Sequence, residues 1–396
     1  MFLFIFIFIV LIIFTKNKLI VTAYVLISLL NLAHHIASLN SGNEGYSVLT
    51  KEILKDEIVY AKIPLELSKL KFLNVSDYYN RAKLKQINQI GYFSLQGTLY
   101  SYMNYLIFKL FSASLFNLKI VNSLFYALLI GVFKKIFIEF GIKKSDSTKC
   151  AILLGLLPNL LIRAIQFEKD ILIVLLTFYF IYLFVRVDKI KFSKIFPILS
   201  LLFLTRIYIF IALLMTRSKL VNKFLFERKI LQQMLYVLLY SATFILVLEV
   251  FFPSSFEQIL AVKKYSVLVG VVGFLEPNYN EFSGTVLTYI KSLYYYYFSP
   301  ISIYTFQGGS NFMWKLLIIE PLIYSVFPFT YILANLKTVQ KNKRLLLLFG
   351  LSILIACMVI TFESHFTSTM RKRIPSLLLI SIIALVIRFK PKTTQI

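Results

Sequence analysis

The stretch LKDEIVYAK (residues 54–62) combines side chains that acid–base chemistry needs. It places two adjacent acids, Asp56 and Glu57, about one helical turn before Tyr60. A carboxylate beside a reacting hydroxyl takes its proton, so an acid here is a candidate general base. The alternative is a solvated helix, since neighbouring Lys and Glu residues at i,i+4 spacing give ordinary ion pairs. The residue types predict a catalytic pair, Asp56 and Glu57, with Tyr60 as a substrate-binding neighbour.

Further acids and bases stand beside apolar runs or inside them. RAIQFEKD (163–170) and ESHFTSTMRKRIP (363–375) each bring several charged groups to a short connection. A charge within an apolar run is costly unless it is paired or faces water, so such residues are functional candidates. The structural alternatives are that the acid at 170 caps a helix and that the late arginines anchor a helix end at the membrane surface. The candidates are Arg163, Glu168, Asp170, Arg206, His365, Arg371 and Arg373.

This combination of acids and bases fits the transfer of a sugar from a lipid phosphate. The acceptor hydroxyl must lose a proton to a carboxylate, and the departing phosphate needs cations to stabilise its charge. Carboxylates are also hard oxygen ligands for Mg²⁺ or Mn²⁺, so a divalent-metal cofactor stays open, with no ligand set assigned. The lipid tail of such a donor would explain why the charged residues accompany apolar segments.

The elements that must position these residues are apolar helices. Hydrophobic residues make up 59% of the 396 residues, against about 45–50% in ordinary domains. They come in blocks such as FLFIFIFIVLIIF (2–14) and LLLLFGLSILIACMVI (345–360), which indicates a polytopic membrane protein. The net charge of +25 does not predict a nucleic-acid partner, because the basic residues cluster between apolar blocks. There they fix topology and contact anionic membrane lipids.

The positive-inside bias gives a topology. Six basic clusters (15–18, 133–149, 186–194, 216–229, 337–344 and 388–392) contain more than half of the 43 Lys and Arg residues, and we assign them to the cytoplasm. The expected fold is a single all-α polytopic membrane domain over 1–396, with about 10–12 crossing or re-entrant helices. Two long loops, 40–118 and 252–313, lie on the outer face. The predicted spans are 2–15, 19–39, 119–138, 150–167, 171–186, 195–215, 229–251, 314–334, 345–362 and 376–388.

Several segments have specific expectations within this topology. The stretch 195–215 has basic clusters on both sides, so it must enter and return as two half-spans, with Arg206 at the middle. The aromatic stretch 92–112 is expected to be an interfacial helix, with its rings at headgroup level. The tyrosine run at 294–297 predicts an interfacial aromatic belt. Glu320 is an intramembrane candidate, and His34 with His35 is expected to serve packing or an interfacial position.

Four stretches together resemble the GT-C class of integral-membrane glycosyltransferases, in particular its bacterial family-39-like branch. LKDEIVYAK resembles the acid pair of the first outer loop. LFKLFSASLFNLKIVNSLFYALLIGVFKKIFIEFG, PNLLIRAIQFEKDILIVLL and MRKRIPSLLLI resemble later segments of the family. The resemblance implies that Asp56 is catalytic and gives Asp170, or Glu168, the role of the second acid. The acid pair follows two apolar runs rather than one, and the usual residues just before it are missing.

The expected activity is glycosyl transfer at the extracytoplasmic face of a bacterial inner membrane. The donor would be a polyprenyl-phosphate-linked sugar, and the acceptor a glycan or lipid-linked acceptor in O-antigen, capsule or exopolysaccharide assembly. One alternative is a repeat-unit (O-antigen or capsule) polymerase, which uses the same class of substrate. Another is a lipid-linked oligosaccharide flippase or other transporter, although two long loops disfavour it.

Overall fold

The computed structural model describes residues 2–15, 17–46, 58–90, 95–167, 169–186, 192–215, 293, 296–298, 320–362 and 372–389. The described chain is all-helical and contains no strand. It divides into two compact units. Unit 1 comprises Met1–Glu139 and Lys143–Ile207, and unit 2 comprises Phe140–Ile142 and Tyr208–Ile396. The expected single membrane domain stays a prediction.

Unit 1 is built from helices α1 to α10. In order they are α1 Phe2–Thr15, α2 Lys18–Asn40, α3 (a π-helical turn Ile58–Lys62 leading into Ile63–Ser68), α4 Val75–Ile90, α5 Leu95–Leu110, α6 Leu115–Glu139, α7 Lys144–Gly155, α8 Pro158–Ile165, α9 Asp170–Arg186 and α10 Phe192–Thr205. Helix α6 is the centre of the unit and packs against α2, α7, α8 and α9.

Two glycines let helices approach each other closely at α6. A Cβ atom on Gly131 would stand 2.6 Å from Cδ1 of Ile20 on α2. A Cβ atom on Gly155 of α7 would stand 2.3 Å from Cδ1 of Ile130 on α6. Real Cβ atoms do not come so near, so a larger residue at either position would force the neighbouring isoleucine side chain to move. Small residues at such crossings are typical of helices that pack within membranes.

The predicted span 150–167 is divided into two helices. Helix α7 ends at Gly155, and α8 begins at Pro158 after a bend of 69°. Proline has no N–H and favours the first turn of a new helix, which explains the break. The Tyr126 hydroxyl donates to the Gly155 carbonyl at 2.8 Å and so satisfies one carbonyl that the helix end leaves unpaired.

Helix α3 is fixed from the side by α5. Pro64 of α3 lacks an N–H, so the carbonyls one π- or α-turn earlier lose an intrahelical donor. The Ser101 hydroxyl donates to the Val59 carbonyl at 2.7 Å, and the Asn104 amide donates to the Tyr60 carbonyl at 2.7 Å. Two polar side chains of α5 therefore hold the π-helical turn in place.

The aromatic rings of α5 differ from expectation. Tyr100 and Tyr105 are buried within unit 1, whereas the sequence placed these rings at headgroup level. Tyr78 of α4 packs on Tyr105 and makes a 2.6 Å hydrogen bond with Ser101. Burial raises the pKa of the Tyr78 phenol, which keeps that hydroxyl protonated. Tyr78 and Tyr105 belong to a core between α3, α4 and α5.

Unit 2 contains the described later helices. They are α11 Ile207–Met215, which belongs to the unit from Tyr208 onward, α12 (a π-helical turn Leu322–Val326 leading into Phe327–Ala334), α13 Leu336–Lys341, α14 Lys343–Phe362 and α15 Ile374–Phe389. Ser352 and Ser376 tie α14 to α15, since each hydroxyl donates to the other's carbonyl at 3.0 and 3.1 Å. The Tyr296 and Tyr297 hydroxyls contact Ser376 and Ser352, each at 2.9 Å. These two tyrosines are therefore buried, and the expected interfacial belt is wrong for them.

Among the residues that the structure describes, two helices, α2 and α6, are long and apolar enough to cross a membrane, and the bent pair α7–α8 gives a third if it forms one span. Shorter apolar helices accompany them in both units. This composition is compatible with a membrane protein. The number of crossings, the sidedness and the two outer-face loops stay predictions.

Candidate functional site

The first feature of the candidate site is a buried ion pair. Arg206 lies at the break between α10 and α11, and its Nη2 donates to Asp170 Oδ1 at 2.6 Å. The two side chains are 8% and 6% exposed, so both charges are nearly removed from solvent. The sequence predicted that Arg206 needs an anionic partner, and the structure provides one within unit 1. Asp170 opens α9, where a carboxylate also interacts favourably with the helix N-terminus.

Lys169, the residue before Asp170, is buried and turns toward α3. Its Nζ lies 5.7 Å from the ring centroid of Tyr60. A cation at this distance is attracted to the aromatic face, the more strongly when water is excluded. The predicted site residue Tyr60 thus lies beside the segment that carries Asp170. In sequence, the helix with Tyr60 directly follows Asp56 and Glu57.

A chain of contacts links Tyr60 to the segment that follows α8. The ring of Tyr60 packs edge-to-face on Tyr100, with centroids 5.4 Å apart. The Tyr100 hydroxyl donates to Asn122 Oδ1 at 3.0 Å, and Asn122 Nδ2 donates to the Gln166 carbonyl at 2.7 Å. Asn122 therefore joins α5 to the connection between α8 and α9.

Arg163 contacts this connection through Gln166. It lies on α8, where its Nη1 donates to Gln166 Oε1 at 2.6 Å and its Nε donates to Asn159 Oδ1 at 3.2 Å. Both partners are local, which is how an arginine stabilises the end of its own helix. The predicted role of Arg163 in substrate binding stays a prediction.

A third buried cation, Lys119, was missed by the sequence reasoning and contacts the same connection at Phe167. The Lys119 ammonium is 2.7 Å from His34 Nδ1 and 5.2 Å from the centroid of Phe167. Nearby, Asn31 Nδ2 donates to Ser123 Oγ at 2.9 Å and to the Ala164 carbonyl at 3.2 Å. The available signal was the helical spacing of polar residues within apolar segments, at 31 and 34 on α2 and at 119, 122 and 123 on α6.

Unit 2 has a buried ion pair of its own. Arg373 Nη2 donates to Glu320 Oε1 at 2.9 Å, and the side chains are 1% and 0% exposed. Arg373 was predicted to bind substrate, and a phosphate would have to compete there with Glu320. Removing one member of such a pair leaves a buried charge without compensation, which is strongly destabilising.

Five predicted site residues, Asp56, Glu57, Glu168, His365 and Arg371, lie outside the described residues. Among the described residues the structure pairs Asp170 with Arg206 and places the adjacent Lys169 5.7 Å from the Tyr60 ring. Arg163 is one hydrogen bond away from the connection between α8 and α9. The described part contains no group of three or more His, Cys, Asp or Glu side chains arranged for a metal ion.

Comparisons with protein-family models, with curated proteins and with solved structures found no match to this chain.

Proposed function

We propose that this chain is a membrane glycosyltransferase that takes its sugar from a polyprenyl-phosphate-linked donor. The observation that carries the proposal is the arrangement of Tyr60, Lys169, Asp170 and Arg206 in unit 1. It combines a carboxylate, two buried cations and an aromatic ring within an apolar protein. Buried ionisable groups in such surroundings are costly and usually serve function.

The proposed roles follow from the chemistry of sugar transfer. Asp56, supported by Glu57, is the general base that takes the proton from the acceptor hydroxyl. That oxygen then forms a bond to the sugar's anomeric carbon, while the bond from this carbon to the phosphate oxygen breaks and the phosphate keeps the electron pair. Arg206 stabilises the charge that develops on the departing phosphate. Asp170 fixes the guanidinium plane of Arg206, which carries five N–H donors and so has capacity for both partners.

The site is proposed to face away from the cytoplasm, in a bacterial inner membrane. The basis is the distribution of basic clusters, which assigns the first long loop to the opposite side. Ser76 is exposed on α4 within that loop. A cysteine placed there should react with an impermeant maleimide in intact spheroplasts. Labelling only after lysis would overturn the assigned sidedness.

A second candidate is the transport of a lipid-linked oligosaccharide. The buried pairs Lys119–His34 and Glu320–Arg373 favour it, because transporters carry charged side chains deep within their helical bundles. The transferase is preferred because candidate acids flank two helices that lie close together. Asp56 and Glu57 precede α3 in sequence, and Asp170 begins α9, where Lys169 contacts Tyr60 of α3. A repeat-unit polymerase remains the alternative within the same substrate class.

The test is the substitution Asp56→Asn, compared with wild type at matched protein level in the membrane. Loss of a general base lowers the rate by about 10²–10⁴-fold. Transfer would be followed with lipid-linked sugar extracted from the source cell's membranes. Undiminished transfer by both Asp56→Asn and Glu57→Gln would reduce the acid pair to part of a solvated helix.

A further inference from the structure

Helix α4 packs against unit 1 through one face and leaves the opposite face exposed. The packed face holds Tyr78, Ala82 and Gln86, which follow one another at i,i+4 spacing and are each 0% exposed. Through this face α4 lies against α3 and α5. Leu84 and Ile87 lie on the opposite face, where they are 63% and 43% exposed. Neighbouring apolar side chains that stay exposed mark a candidate interaction surface.

Two cations flank these apolar side chains. Arg81 lies one helical turn before Leu84, and Lys83 lies one turn before Ile87, so each cation neighbours one apolar residue on the helix surface. Both cations are exposed. The four residues form one patch, with the two apolar side chains in the middle and a cation on each side. We call this patch the exposed α4 face.

The turn before α4 has the same character. There, exposed Leu70 and Phe72 alternate with exposed Lys69 and Lys71. The turn and the helix together, residues 69–90, contain five Lys and Arg residues but one acidic residue. A basic segment with exposed apolar side chains is complementary to a partner that is both anionic and apolar.

A bilayer surface with anionic headgroups offers both kinds of contact. Apolar side chains of an interfacial helix enter the boundary between headgroups and acyl chains, while Lys and Arg attract anionic lipid. Helix α4 lies between α2 and α6 in sequence, and these two helices are long and apolar enough to cross a bilayer. The bilayer that α2 and α6 would cross is therefore a partner that is always available to α4.

We propose that α4 is an interfacial helix whose exposed face binds anionic phospholipid headgroups of the surrounding bilayer. Leu84 and Ile87 enter the boundary between headgroups and acyl chains, and Arg81 and Lys83 contact lipid phosphates. Because α4 is packed on α3 and α5 through its buried face, this contact holds those helices at the membrane surface. Lipid binding by α4 does not depend on the proposed sugar transfer and is measurable without any sugar substrate.

The measurement uses a fluorophore on a cysteine that replaces Leu84, in the full chain with Cys150 and Cys357 replaced by alanine. The protein is placed in lipid nanodiscs, where both membrane faces are open to water. The discs contain phosphatidylcholine alone or mixed with phosphatidylglycerol. A quencher attached to lipid headgroups reports contact with the bilayer, and iodide reports contact with water. A label at Gln89 is the matched control, because Gln89 is exposed on the same helix but its amide is directed toward Glu66 of α3.

The charge variants are Arg81→Gln/Lys83→Gln and, as the control, Lys143→Gln/Lys144→Gln. Each removes two exposed positive charges from unit 1, but the second pair lies outside α4. A cation near an anionic surface favours contact by roughly fivefold, so the first variant should lower the ratio of membrane-bound to water-exposed Leu84 label by roughly 25-fold. The control variant should leave this ratio unchanged.

In discs with phosphatidylglycerol, we expect the lipid quencher to act more strongly on the Leu84 label than on the Gln89 label, and iodide to act less strongly. Equal quenching of the two labels by iodide would place the exposed α4 face in water and overturn the proposal. Lipid quenching that is the same in phosphatidylcholine alone, or that persists without both cations, would overturn the binding of anionic headgroups. Protection of the Leu84 label from both quenchers would show that protein covers this face and would overturn the proposal as well.

Discussion

Replacing Asp170 with asparagine should destabilise unit 1 far more than the loss of a carboxylate at a helix N-terminus would. Asparagine has nearly the same shape, so the change removes the negative charge and leaves Arg206 buried without it. Breaking a buried pair in this way costs about 3–5 kcal/mol. The loss of a carboxylate at a helix N-terminus alone costs only about 0.3–1 kcal/mol. The buried ion pair and the helix-start position therefore predict losses of unfolding free energy that differ severalfold.

The expected shift follows from the size of the unit. For domains of 150–250 residues, 1 kcal/mol moves Tm by about 2–4 °C, so Asp170→Asn should lower Tm by about 6–20 °C. Cys150 of α7 is 2% exposed, and its reaction with a thiol-reactive dye reports unfolding of unit 1 once Cys357 is replaced with alanine. The double variant Asp170→Asn/Arg206→Met should recover at least half of the loss, because no unpaired charge remains.

The matched control is Asp146→Asn, a second acid in the first turn of a helix. Asp146 pairs with Lys149 at 3.5 Å, but the Lys149 side chain is 75% exposed and the pair is solvated. Exposed pairs contribute about 0–1 kcal/mol, so this variant should shift Tm by less than about 4 °C. Equal shifts for Asp146→Asn and Asp170→Asn, or additive effects in the double variant, would refute the buried-pair reasoning.

Three further outcomes follow from the structure. Glu320→Gln should leave the buried Arg373 without its anionic partner, so the temperature at which buried Cys357 reacts with dye should fall by at least about 6 °C. An unchanged temperature would contradict this. Gly131→Ala should destabilise unit 1, because the new Cβ meets Ile20 at 2.6 Å. The double variant Gly131→Ala/Ile20→Ala should lose less stability than the sum of the losses in the two single variants. Equality with that sum would argue against the close helix approach. Arg206→Ala should raise the donor KM, lower kcat, or both, and Arg206→Lys should also be impaired, because a lysine lacks the planar fork for phosphate; turnover like wild type in both would place the phosphate elsewhere.

Much of the helical layout was predictable because apolar runs define helices locally. The predicted span 171–186 corresponds to α9 at Asp170–Arg186, and the break expected at Arg206 separates α10 from α11. The break within 150–167 was missed, although Pro158 was the local signal for it. Length and hydropathy alone do not show where a proline ends one helix and begins another.

The partners within the candidate site were harder to predict. Lys119 and His34 are 85 residues apart in sequence, and no local pattern links a cation on one apolar helix to a histidine on another. The burial of Tyr100 and Tyr105 was missed for a similar reason, since aromatic residues suit both a headgroup region and a packed core. Long-range packing decides between these two environments.

The composition of surface glycan in cells that lack this gene tests the proposed glycosyl transfer directly. We expect that every repeat unit lacks one sugar and that a lipid-linked intermediate shorter by that sugar accumulates. Wild-type protein should restore the sugar, whereas Asp56→Asn should not, at equal amounts in the membrane. Complete units that fail to form long chains would instead indicate a polymerase. Complete lipid-linked units retained on the cytoplasmic leaflet would indicate a transporter. Either result would contradict the proposed glycosyl transfer.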